Sequence, residues 1–169
     1  MNVWSEKNKV VHVLTPVADP FVTGTGVSTD IVNMENYNKC TFIIITSTTA
    51  ANNGLITVDA GVDNVTCATA ITFKYRTQIA AVPDAVGSDV QSALTDGAAA
   101  GFNMTVSLVG GIYIIEVDAS VVAAAGTDFD HVCLRIDDGG TNAAQPYAGV
   151  IAILSEPRYA QDVLATAID

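Results

Sequence analysis

Short runs of alternating apolar and polar residues, separated by clusters of Gly, Asn, Asp and Thr, dominate this sequence. Alternation with a period of two places apolar side chains on one face of a strand, whereas a helix repeats every 3.6 residues. In the run 69–78, Ile71, Phe73 and Tyr75 alternate with polar residues. About eight such runs, with turn signals between them, predict an all-β fold. We expect a single β-sandwich, jelly-roll-like in topology.

The most apolar run is 39–47, which predicts the central strand of the sandwich. Its residues Cys40, Phe42 and Ile44 share one face, while Ile43 and Ile45 occupy the other. Apolar side chains on both faces are typical of a strand that is covered on both sides. We therefore expect both faces of this strand to be buried.

Three segments depart from the simple strand pattern. Asp118 precedes the Ala-rich run 119–125 and predicts the N-cap of one short helix. The Gly pair at 110–111 predicts a hairpin turn between two strands. Residues 79–100 show little periodicity and predict a long surface excursion, with one helical turn near 89–94.

Both termini carry prolines and mixed polarity, which predicts extended arms around a central domain. Residues 1–27 are expected to form an N-terminal strand or arm, 28–154 the β-sandwich, and 155–169 a C-terminal tail. Proline lacks a backbone N–H, so Pro16 and Pro20 favour an edge strand or an extended arm.

Charge and hydropathy exclude several classes of partner. The formal net charge is −11, from seven Lys and Arg against eighteen Asp and Glu. A nucleic-acid binder needs clustered positive charge, and an anionic membrane surface attracts it too, so we expect neither partner. The apolar runs are too short to span a membrane, and the N-terminus does not look like a signal peptide. We therefore expect synthesis in a cytoplasm.

Mean hydropathy is high, at +0.39, although the chain has few aromatic residues. Two explanations remain open. Part of the apolar surface is buried against other chains, or the sandwich has a core of small residues.

The residues that carry most protein chemistry form no recognisable motif. Cys40 and Cys133 lie in strand-like runs and are expected to pack as small hydrophobes, whereas Cys67 lies in a loop-like run and is expected to be the most exposed cysteine. His12 and His131 also lie in strand-like runs. The sequence has no nucleophile elbow, phosphate-binding loop or zinc-ligand spacing, and the acidic run 137–140 predicts a turn. We therefore predict no catalytic residue, cofactor or metal, and a protein that is not an enzyme.

Residues near the two ends are the candidates for binding a partner. Pro157, Arg158 and Tyr159 follow the last strand-like run, and Trp4 is the only tryptophan. Arg, Tyr and Trp are enriched where one protein grips another. An ordinary solvated tail remains the alternative interpretation of these residues.

Four segments resemble small structural proteins of tailed bacteriophages. They are Asn36–Thr46 (NYNKCTFIIIT), Ala70–Thr77 (AITFKYRT), Gly111–Ala119 (GIYIIEVDA) and Val150–Ile168 (VIAILSEPRYAQDVLATAI). The resemblance implies a capsid cement or decoration protein on the outer surface of the virion, made in the host cytoplasm. Its partners would be the major capsid protein and copies of itself, as a homotrimer. The alternative is a tail or head-fibre component whose β-sandwich binds a receptor or a carbohydrate.

Overall fold

The computed structural model describes residues 3–20, 26–47, 52–79, 89–106, 110–138, 147–159, 164 and 166–168. Within these ranges the chain forms two antiparallel sheets that face each other across one hydrophobic core. The predicted all-β sandwich with one short helix is confirmed. The elements are a 3₁₀ turn Trp4–Glu6, β1 Lys9–Ala18, β2 Val27–Ser28, β3 Val32–Asn33, β4 Tyr37–Thr46, β5 Asn52–Gly61, β6 Cys67–Ala70, β7 Phe73–Ile79, β8 Thr95–Gly97, β9 Phe102–Val106, β10 Gly111–Asp118, α1 Ala119–Ala124, β11 His131–Asp138 and β12 Tyr147–Pro157.

The strand order is that of a jelly roll. Sheet A has the order β1-β12-β4-β10-β7-β8. In sheet B, β11 pairs with β2, β3 and β5, and β5 also pairs with β6 and β9. The chain crosses from one sheet to the other after β1, β3, β4, β6, β8, β9, β10 and β11. These crossings generate the two Greek keys of a jelly roll, to which β7 and β8 add an extension of sheet A.

Alternate residues of the central strands form the core. Side chains of β4 and β10 from sheet A meet those of β5 and β11 from sheet B. Burying one large apolar side chain fully stabilises a fold by about 1.5–3 kcal/mol. The largest fully buried side chains on these strands are Tyr37, Phe42, Ile44, Tyr113, Ile115, Ile56, Leu134 and Ile136.

An aromatic cluster joins the two sheets where β7 and β9 approach each other. Phe102 of sheet B stacks on Tyr75 of sheet A, with ring centroids 4.0 Å apart and planes 8° apart. The rings of Phe73 and Tyr113 are tilted against the Phe102 ring, with centroids 6.0 and 6.4 Å from its centroid. Aromatic pairs of this kind contribute about 0.5–1.5 kcal/mol beyond their buried area.

Two local predictions were wrong. Gly110 and Gly111 do not make a hairpin, because β9 pairs with β5 in sheet B and β10 pairs with β4 and β7 in sheet A. Residues 89–94 form no helix; instead Ser92 lies alongside β7, where its backbone N–H bonds the Thr77 carbonyl at 2.8 Å. Part of the predicted excursion, 80–88, lies outside the described residues.

The sandwich extends beyond both predicted domain boundaries. β1, which falls in the expected N-terminal arm, is the edge strand of sheet A and pairs with β12. Pro16 lies in this edge strand, where a missing N–H is tolerated. The expected boundary between residues 154 and 155 falls inside β12, which continues to Pro157.

The described part of the C-terminal tail packs on the sandwich of its own chain. Ala167 is only 1 % exposed and belongs to the core cluster, and Leu164 and Ile168 pack against that cluster. The Ala167 carbonyl also accepts a hydrogen bond from the backbone N–H of Asn33, at 2.8 Å. This stretch of the tail is therefore part of the folded unit.

Because Ala167 is buried, a charge introduced there should destabilise the sandwich. We expect Ala167→Asp to lower the free energy of unfolding by about 3 kcal/mol, since an unpaired carboxylate would enter the core. Urea titration followed by fluorescence measures the change, and Thr166→Asp at the exposed neighbouring position is the matched control. Equal stability of Ala167→Asp and the wild type would show that the tail does not belong to the core.

Candidate interaction surface

The outer face of sheet A carries rows of apolar residues that run across its strands. The antiparallel register places His12, Ile151, Ile43 and Ile114 in one row across β1, β12, β4 and β10. The next row contains Ile45 beside Ile112. The centre of this outer face is therefore apolar, although the face points away from the core.

The described residues leave this face open to solvent. Val10 is 52 % exposed, Ile45 is 55 % exposed and Tyr147 is 56 % exposed. A depression of about 360 Å³ is lined by Ile45 and Tyr147, together with His12 and Pro16. Within the described residues of one chain, the second sheet covers the inner face of β4 and leaves the outer face uncovered. The predicted coverage of both faces is therefore met by this chain on the inner face only.

Charged residues border the apolar rows on the side toward α1. Lys39 lies 3.7 Å from Glu116 and 4.0 Å from Asp118, and Lys74 pairs with Asp96 at the edge of the sheet. Exposed ion pairs add little stability, typically about 0–1 kcal/mol. They keep this end of the face hydrated, so the apolar rows form a bounded patch. We define the apolar patch as Val10, Ile43, Ile45, Ile112, Ile114, Tyr147, Ile151 and Ile153.

The four predicted partner-binding residues lie on two chain segments that meet at one end of sheet A. Trp4 begins the 3₁₀ turn before β1, and Pro157 ends β12, where it lies beside Tyr37. Because β1 and β12 are paired, these segments line opposite sides of a groove of about 600 Å³, between residues 7–8 and 155–157. Trp4 and Tyr159 are 56 % and 64 % exposed.

Arg158 is anchored to the turn that precedes β4. Its backbone N–H donates to the Asn36 carbonyl at 2.9 Å, and its Nε–H donates to Asn38 Oδ1 at 3.1 Å. Glu156 has a φ of +56°, so the strand bends just before these contacts. The bend and the anchor hold the backbone at Arg158 and leave the Tyr159 side chain exposed.

The two histidines lie on different sheets and do not form one site. His12 lies on the outer face of sheet A, whereas His131 is buried in sheet B, with Nδ1 2.5 Å from Asp130 Oδ1. Asp137 and Asp138 belong to β11, and the remainder of the predicted turn, 139–140, lies outside the described residues. Within the described ranges, no three metal-ligating side chains form a group that could hold a metal ion.

The cysteines differ from the prediction at one position. Cys40 is fully buried and Cys133 is 4 % exposed, as expected for core and sheet positions. Cys67 is the most exposed of the three, as expected, although it lies half-buried at the first position of β6 rather than in a loop. The loop before it turns back over β5, and Asp63 Oδ1 accepts the backbone N–H groups of Val65 and Thr66, at 2.9 and 2.6 Å.

Comparisons with known proteins do not indicate what this surface binds. A scan against protein-family models found no match, and neither did searches of curated proteins and of solved structures. In the described part of the chain, no helix is long and apolar enough to cross a membrane.

The two hydrogen bonds to Asp63 predict a stability contribution that is lost in acid. They hold the pKa of Asp63 below its ordinary value. A carboxyl whose pKa is lower in the folded state stabilises the fold above its unfolded pKa, near 3.9, and loses that effect as pH falls through the folded pKa. We expect Asp63→Asn to unfold at a lower urea concentration than the wild type at pH 7. The two proteins should converge near pH 2, and a gap independent of pH would contradict this.

Proposed function

We propose that this chain is a structural virion protein that binds the outer surface of a capsid and stabilises the shell. Its partners are copies of itself and the major capsid protein. The phage resemblance of its strand and tail segments supports this role, and the observation that carries it is the apolar patch of sheet A. No catalytic activity is part of the proposal.

The apolar patch supports assembly with other protein chains. Soluble monomers rarely expose contiguous apolar areas larger than a few hundred Å², and larger ones mark interaction sites. Burial of Ile45 and its neighbours against another chain would remove this surface from water and supply a driving force of about 25 cal/mol per Å². It would also account for the high mean hydropathy of a chain with few aromatic residues.

A second copy of the same chain is the occupant that the charge pattern favours for this patch. Each chain carries a net charge of −11, so two copies repel each other wherever acidic residues meet. None of the residues that define the patch is charged, and the charged residues Lys39, Glu116 and Asp118 lie at its border. Copies can therefore meet here without opposing carboxylates. A trimer is the state that the phage resemblance implies.

The groove between residues 7–8 and 155–157, called here the end groove, lies beside residues that are suited to contact with the shell. Trp4 and Tyr159 offer exposed aromatic surface, and Arg158 is already held by two hydrogen bonds. Rigid aromatic and Arg side chains supply most of the binding energy in many interfaces. With one surface for self-association and another for the shell, each oligomer binds through several weak contacts, which multiply the effective affinity.

A second candidate function is receptor or carbohydrate binding by a tail or head-fibre component. A depression of about 290 Å³ is lined by Tyr75 and Phe102 together with Ser92 and Asn103. Aromatic rings flanked by hydrogen-bonding groups are typical of small-molecule sites. Tyr75 and Phe102, however, stack on each other at 4.0 Å, so each ring has one face already occupied.

Self-association through the apolar patch can be tested at Ile45. We expect the wild type to sediment as an oligomer and Ile45→Asp to weaken association at least tenfold, because each copy would bury a carboxylate against another. Val65→Asp is the matched control, since Val65 is 83 % exposed in a loop outside the patch. Circular dichroism checks that both variants are folded. An unchanged oligomer in Ile45→Asp would contradict the interface.

Shell binding by the two chain segments that flank the end groove can be tested at their exposed aromatic residues, Trp4 and Tyr159. We expect the double variant Trp4→Ala with Tyr159→Ala to bind particles assembled without this protein at least tenfold more weakly than the wild type. Its oligomeric state should be unchanged. Val90→Ala, at a 69 % exposed apolar position elsewhere, is the control. Wild-type affinity in the double variant would exclude the groove as the contact.

A further inference from the structure

Two cysteine side chains meet on the outer face of sheet B, where nothing in the proposed function uses them. The Cys67 Sγ lies 3.0 Å from the Asp59 carbonyl oxygen and 4.0 Å from the His131 carbonyl oxygen. The Cys133 Sγ lies 3.8 Å from the Cys67 carbonyl oxygen. The two thiol groups are close enough for each to shift the pKa of the other.

A backbone irregularity brings the two residues together. Cys133 lies opposite Asp59 on one side of β5, and Cys67 lies opposite Gly61 on the other side. Two strands that flank a third are normally separated by about 9.6 Å, twice the interstrand spacing, which is beyond the reach of a disulfide. The register shift between Ala60 and Gly61 interrupts the regular pairing at the start of β6, where Cys67 lies opposite Gly61.

Gly61 makes this approach possible. A Cβ at this position would lie 1.9 Å from the Thr66 carbonyl oxygen and 2.8 Å from the Cys67 Cα. Any side chain at residue 61 would therefore push the chain at Thr66 and Cys67 away from the sheet. The close approach of Cys67 to β5 depends on the absence of that side chain.

We propose that Cys67 and Cys133 are a modification site, at which low-molecular-weight disulfides such as glutathione disulfide oxidise the pair to an intrachain disulfide. The bond would tie the edge strand β6 to β11 across β5. It would stay open in a reducing cytoplasm and close in an oxidising medium.

The exchange proceeds in two balanced steps. Cys67, the more exposed of the two, loses its proton and attacks one sulfur of glutathione disulfide, which releases the first glutathione thiol. Cys133 then attacks the Cys67 sulfur as a thiolate and displaces the second glutathione thiol. The two protein thiols are oxidised by two electrons in total, and one glutathione disulfide is reduced to two thiols.

The surroundings favour Cys133 as the resolving thiolate. In the reduced protein, Cys67 and Arg135 lower the pKa of Cys133, whereas burial and the Asp59 carboxylate raise it. The pKa of Cys67 itself is raised, by Cys133 and by burial. Once Cys67 is joined to glutathione it has no proton to donate, so Arg135 is the neighbour that still favours the Cys133 thiolate in the second step. Exposure rather than acidity makes Cys67 the thiol that meets the oxidant.

The test uses the purified full-length protein before and after incubation with glutathione disulfide. We expect peptide mapping under non-reducing conditions to recover a peptide pair linked through residues 67 and 133, with Cys40 still a free thiol. We also expect the Tm to rise by about 10 °C, because the bond closes a long loop in the unfolded chain. Reduction with dithiothreitol should reverse both changes.

Two sets of variants distinguish a specific disulfide between Cys67 and Cys133 from non-specific oxidation of the protein. Cys67→Ser and Cys133→Ser should each abolish the oxidative rise in Tm. Gly61→Ala keeps all three cysteines and should reduce formation of the linked peptide at least tenfold. Stable glutathione adducts without a 67–133 link, or a Tm unaffected by oxidation, would overturn the proposal. The experiment needs only the isolated protein, so either of these outcomes would overturn the disulfide proposal without affecting the proposed virion role.

Discussion

The packing of β4 between β10 and β12 is the constraint on which the rest of the structure depends. Its residues Cys40, Phe42 and Ile44 point into the core and are fully buried. Ile43 and Ile45 must then point outward, because side chains alternate along a strand. A slip of one residue would exchange the two sets, and both contain apolar residues. Lys39 distinguishes them, because the slip would turn its charged side chain from the solvent face, where it lies near Glu116 and Asp118, into the core.

This arrangement gives the two sheets outer faces of different chemistry. The outer face of sheet A has an apolar centre that no described residue covers, and we interpret it as the surface on which copies of the chain meet. The outer face of sheet B carries Cys133 and Arg135 along β11, with Asp59 beside them on β5. One face is suited to assembly and the other to covalent stabilisation of a single chain.

The strands and the core could be predicted from the sequence because alternation is a local signal. The alternation places Cys40, Phe42 and Ile44 on one face, and all three are fully buried. The predicted hairpin at residues 110–111 was wrong because a Gly pair permits a tight turn but does not specify which strand pairs with which. The thiol pair was missed for a related reason. Cys67 and Cys133 are far apart in sequence, and their meeting depends on a register shift at Gly61. The apolar residues on both sides of β4 did predict that its outer face is covered. This pattern does not indicate which protein surface covers it.

The central proposal is that this chain is a structural component of a capsid surface, and its copy number in purified virus particles tests that proposal most directly. Quantitative mass spectrometry gives the ratio of this protein to the major capsid protein. A cement role predicts a fixed, simple ratio set by the capsid lattice, since each lattice position offers the same binding site. A handful of copies per particle would place the protein in a tail or fibre, and its absence from particles would contradict the virion role altogether.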